Sequence, residues 1–91
     1  VDRNRVMHID HADGQGVLRQ ILEIATTLGF SSSIQRTRRS GDEQKPMVSM
    51  DVRFFGRHPL RNLVLPLMDL QGVASVSVRG ADSSEDDDDA A

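Results

Sequence analysis

Cysteine, tyrosine and tryptophan are all missing from this chain of 91 residues, and aromatic side chains make up only 3% of it. Without thiols there is no disulfide framework, no thiolate zinc site and no cysteine nucleophile. Lys45 is the single lysine, and Ser31 to Ser33 and the three histidines fall in no nucleophile motif, so the sequence reads as non-enzymatic with no cofactor. No window reaches the roughly 18 apolar residues of a membrane span. The opening VDRNRV is neither a signal peptide nor an initiator-methionine start, so the chain reads as a soluble piece of something longer. A reducing cytoplasm is the compartment expected for a sequence with no cysteine.

Apolar residues make up 37% of the chain, enough for one core and too few for two. The net charge of -3 is unevenly spread. The last ten residues hold six acids and no base, whereas residues 1–81 carry eleven bases against eight acids. A run of like charge with no apolar residue beyond alanine cannot collapse onto a core. The expected organisation is therefore one domain over 1–81 and a disordered acidic tail over 82–91. A salt-sensitive contact of that tail with Arg36, Arg38 and Arg39 is the alternative to a purely solvated one.

The element pattern is legible from periodicity. RVMHIDH (5–11) alternates, with Val6, His8 and Asp10 on one side and Met7, Ile9 and His11 on the other. Turn chemistry at Asp13–Gly16 leads into VLRQILEIATTLGF, where Val17, Leu18, Ile21, Ile24, Ala25 and Leu28 recur at helical spacing, and Gly29 is placed to stop the helix. Residues 30–39 read as an edge strand guarded by charge. MVSMDVRFF puts Val48, Met50, Val52 and Phe54 on one face and Ser49, Asp51 and Arg53 on the other. HPLRNLVLPLMDLQGV reads as a second helix with Pro59 in its first turn, kinked or cut short by an interior Pro66 and closed by a cap at Gly72. VASVSVR alternates again as the last strand. The order β-α-β-β-α-β, with right-handed crossovers, predicts an α+β fold of ferredoxin-like type: a four-stranded antiparallel sheet with two helices on one face. The other face is left for solvent or a partner.

Two stretches could carry function. DGQGVL joins a strand end to a helix N-terminus, where free backbone N–H groups favour an anion; a plain tight turn is the simpler reading of the same spacing. It lacks the glycine and lysine pattern of either a dinucleotide or a phosphate loop. His8, Asp10, His11 and Asp13 are metal-ligand types, but only His8 and Asp10 share a strand face, too few for a site, so no metal is expected. A polar sheet face, or histidines at an oligomer interface, remains as the reading of that group. Base stacking needs aromatics on the central strands, and the first strand has none, so no nucleic acid is expected either.

With these elements in place the sequence resembles an ACT domain, a regulatory fold that binds amino acids or other small ligands. More closely, HADGQGVLRQILEIATTLGF, VSMDVRFFG and LMDLQGVASVSV are similar to the C-terminal ACT-like domain of MgtC/SapB-type bacterial membrane proteins, over residues 5–79. That resemblance implies a cytoplasmic regulatory domain following a membrane domain of the inner membrane, linked to growth at low magnesium and to virulence. It implies self-association or a protein partner on the open sheet face, with the membrane reached only through the preceding parent segment. The ACT ligand loop, carried across, falls on Asp13, Gly14, Gln15, Gly16 and Val17, with Leu18 behind it. Many ACT sequences have Asn or Asp followed by Pro-Gly in this loop, and Gln15-Gly16 departs from that. An amino-acid-binding ACT module of a metabolic enzyme or transcription regulator is the alternative.

Overall fold

The computed structural model describes residues 5–80; the acidic residues 82–91 and the expected domain boundary at 81 lie outside them. Strand β1 (Arg5–Ala12) is central, and its alternation is what burial on one side requires: Met7 and Ile9 are fully buried and His11 nearly so, while Val6, His8 and Asp10 point the other way. It pairs antiparallel with β3 (Pro46–Phe55) on one side and β4 (Val73–Gly80) on the other. Strand β2 (Ser31–Gly41) lies outside β3, giving the sheet order β2-β3-β1-β4. This is the antiparallel ferredoxin-like arrangement expected from the element order.

Helix α1 (Val17–Thr27) buries Val17, Ile21 and Ala25, each four residues from the next and so on one stripe. Ile24 is partly buried, whereas Leu18 and Leu28 keep 36% and 37% of their surface, so the buried stripe is narrower than the apolar one in the sequence. The helix ends as the sequence demands. Gly29 takes φ 92°, its N–H reaches Thr26 O at 3.0 Å, and Phe30 N–H reaches Ala25 O at 2.8 Å, a paired closure that needs a left-handed residue between. Met7, Ile9, Met50, Val52 and Phe54 from the sheet meet this stripe, and Phe54 packs edge-on against Phe30 with centroids 6.2 Å apart. Burying each such side chain contributes about 1.5–3 kcal/mol.

The second helical region departs from the sequence reading. A 3-10 turn (Leu60–Leu63) runs straight into a short α2 (Val64–Met68). Pro59 stands just before the turn in extended conformation, ψ 140°. Pro66 is the third residue of α2, inside the first turn, where an N–H would have no α-helical partner to lose. The expected interior kink is thus replaced by a change of helix type upstream of the proline. Gly72 is not the cap: Asp69 caps α2, and Gly72 sits in the following turn, closed by Val73 N–H to Leu70 O at 3.2 Å. Leu60, Leu63 and Leu67 still reach the core from this segment, on the side of the sheet that α1 covers.

One polar tether closes the end of the sheet where β1 begins. The Arg5 guanidinium donates to the carbonyl oxygens of Gly56 (2.7 Å) and His58 and lies 5.7 Å from the Phe30 ring centroid.

Candidate functional site

The face turned away from the helices carries an organised polar cluster. Antiparallel register sets Asp10 opposite Ser49 on β3 and Ser75 on β4, and His8 opposite Asp51 and Ser77. Ser49 Oγ donates to Asp10 Oδ1, and Ser75 Oγ donates to Asp10 Oδ2 at 2.6 Å. His8 Nδ1–H donates to Asp51 Oδ1 at 2.7 Å, and its Nε2 stands 3.4 Å from Asp10 Oδ1. One imidazole thus sits between two carboxylates, across three strands. Both serine hydroxyls give their proton to a carboxylate and not to an imidazole, so neither is set up as a nucleophile. A shallow groove of about 410 Å³ runs along this face between β2 and β3, lined in part by His8, Arg36, Arg38, Ser49 and Asp51.

The hydrogen bond from Ser49, then that from Ser75, hold the Asp10 carboxyl below its ordinary 3.8; partial burial pulls against them, and His8 adds to them. A depressed folded value means Asp10 contributes stability above the unfolded value, and the contribution is lost as pH falls through the folded one. Asp10→Asn is therefore expected to lower the urea midpoint at neutral pH by a loss of about 1 kcal/mol or less, since the carboxylate is part-exposed. The gap from the parent should close in acid below 3.8. A gap that stays constant across that range would contradict the assignment.

The glycine loop is the second candidate. Gly14, Gln15 and Gly16 all have positive φ (94°, 60° and 70°), so three successive left-handed residues turn the chain into α1. Gly16 is the N-cap residue, no side chain caps the helix, and its first turn holds no acid. Among the described residues, Gln20 N–H makes the first helical bond to Gly16 O at 3.1 Å, and Val17 N–H reaches Gly14 O only at 3.4 Å. Asp13 is anchored by its N–H to Pro46 O (3.0 Å), and its carboxylate lies 3.9 Å from Arg39. The Val17 side chain is turned into the core, so Val17 offers this loop its backbone only.

The structure keeps His8 and Asp10 together and separates His11 from them, as the alternation implied. His11 is 4% exposed, and its Nδ1–H donates to Ala12 O at 2.8 Å. Among the described residues no group of three or more His, Asp or Glu is placed to hold a metal ion. Asp51, Ser49 and Ser75 were not singled out from the sequence. Their outward phase was visible in the alternation, but their place beside His8 and Asp10 follows only from the register.

No family model matches the chain, and no curated protein matches it in sequence. Solved structures share its fold. The ACT domain of GTP pyrophosphokinase from Chlorobium tepidum superposes with a TM-score of 0.58 at 19% identity, over 82% of this chain and 95% of that one. The C-terminal domain of the MgtC protein from Mycobacterium tuberculosis gives 0.56 at 15% identity, over 93% and 94%. A homoserine dehydrogenase from Thiobacillus denitrificans gives 0.58 at 18% identity over 87% of this chain, which spans only 17% of that enzyme. The chain therefore has the ACT-like form of the ferredoxin-like fold, the form that the MgtC C-terminal domain also takes. Among the described residues no helix is long and apolar enough to cross a membrane.

Proposed function

We propose that this chain is a non-catalytic regulatory and interaction domain of an MgtC-like membrane protein, held on the cytoplasmic side and working through its open sheet face. The observation that carries this is the uncovered face itself: four strands wide, it bears a hydrogen-bonded cluster around His8, Asp10 and Asp51, and no element among the described residues lies over it. The likeness to the MgtC C-terminal domain, nearly end to end in both chains, supports a membrane-protein parent. The link to growth at low magnesium and to virulence belongs to the same proposal and rests on that resemblance.

A second reading has its own support. The uncapped start of α1 and the run of three left-handed residues at Gly14–Gly16 leave backbone donors open to a carboxylate, as an amino-acid-binding ACT module would need. Amide-resolved titration separates the two. Concentrating the labelled chain should move the amides of His8, Asp10, Ser49 and Asp51, and adding amino acids or Mg²⁺ should leave Asp13–Val17 still. Saturable shifts confined to Asp13–Val17 on adding an amino acid would transfer the function to the loop.

A further inference from the structure

Strand β2 is the edge of the sheet next to β3, is eleven residues long, and is exposed along most of its length. Among the described residues no strand pairs with its outer side, so every other residue presents an N–H and a C=O away from β3. A register shift between Ile34 and Arg36 leaves Gln35 out of the ladder, and beyond it the pairing runs regularly from Arg36↔Asp51 to Gly41↔Pro46. That regular segment carries Arg36, Arg38 and Arg39, and residues 31–41 include no acid. Arg36 and Arg38 are two apart and stand in register with the outward-phase Asp51 and Ser49, so both lie on the open-face side. Ile34, on the opposite side in register with Val52, keeps 41% of its surface exposed.

We propose that the Arg36–Gly41 edge of β2 receives an extended acidic peptide as a fifth strand. Backbone hydrogen bonds give such a strand its hold, and its alternate side chains give it selectivity. Acids two apart would stand beside Arg36 and Arg38. The same arginines disfavour a second copy of β2 at this edge, since antiparallel pairing of two such strands sets like charges near one another. The edge therefore discriminates in favour of a partner of opposite charge. This binding does not depend on the open face being the contact surface of the domain.

The test uses the full chain and a synthetic peptide matched in length to β2, alternating glutamate with valine. Amide shifts should concentrate on residues 36–41, with cross-strand contacts from the peptide backbone to β2. Arg36→Glu combined with Arg38→Glu should weaken binding about tenfold or more, the change expected when exposed ion pairs become repulsions. N-methylating alternate peptide bonds of the probe should abolish binding while leaving its charge unchanged. Equal binding by the N-methylated peptide, the same shifts with single-stranded DNA or anionic vesicles, or no binding at all would overturn the proposal. A thermal melt of the double variant matching the parent confirms that the fold is kept; should it unfold, Arg36→Gln with Arg38→Gln carries the comparison.

Discussion

Phe54→Ala is expected to cost about 3–5 kcal/mol and to leave the chain only marginally folded at room temperature, while Phe55→Ala costs about 1 kcal/mol or less. The two residues are neighbours of the same type on one strand, so composition and position are matched and only the face differs. Phe54 is fully buried and packs edge-on against Phe30; Phe55 keeps 45% of its surface in solvent. A domain of this size has a total stability toward the low end of about 5–15 kcal/mol, so the loss at Phe54 consumes most of it. Urea unfolding of the two variants decides the matter. Similar midpoints would mean that the sheet does not have one packed face and one bare one.

Gly72→Ala is expected to destabilise by about 2–3 kcal/mol, for two separable reasons. Its φ of 99° is a conformation that a side chain strains by roughly 1–2 kcal/mol. A methyl group there would also lie 2.7 Å from Val17 Cγ2, closer than packed carbons approach. Gly14→Ala is the internal control, because its φ is 94° and nothing among the described residues lies within 4 Å of the added carbon. It should show the backbone cost alone. Equal thermal shifts for the two variants would indicate that the start of α1 does not pack on the turn before β4.

The contrast between these positions explains what could be read from residue order. β1 and β3 were legible because each has one wet and one dry face, and a period of two in hydrophobicity is the direct imprint of that. The closure of α1 at Gly29 was legible because a left-handed residue is needed there. The second helical region was not. A period near three serves both a 3-10 turn and an α-helix, and a proline in a first turn looks, in sequence, like a proline in an interior. The polar cluster was half legible: His8 and Asp10 share a face by alternation. Nothing in residue order says which side chains of β3 and β4 face them, and the register shifts at Asp10/His11 and Ile34/Arg36 leave no mark in the composition. The Gly14–Gly16 loop was visible as turn chemistry, yet its three successive left-handed residues were not, because glutamine at position 15 gives no hint of positive φ.

The absence of native cysteine allows the central claim, one face packed by helices and the other open, to be tested by accessibility along a single strand. Single cysteines would replace Ser49, Met50, Val52 and Arg53 in turn, and their rates of reaction with a soluble thiol reagent would be measured under native conditions. Cysteines at 49 and 53, both half-buried, should react more slowly than the unfolded chain but within about tenfold of it, and those at 50 and 52 more than about a hundredfold slower, limited by opening of the core. Uniform rates along β3, or protection at 49 and 53 equal to that at 50 and 52, would contradict the account.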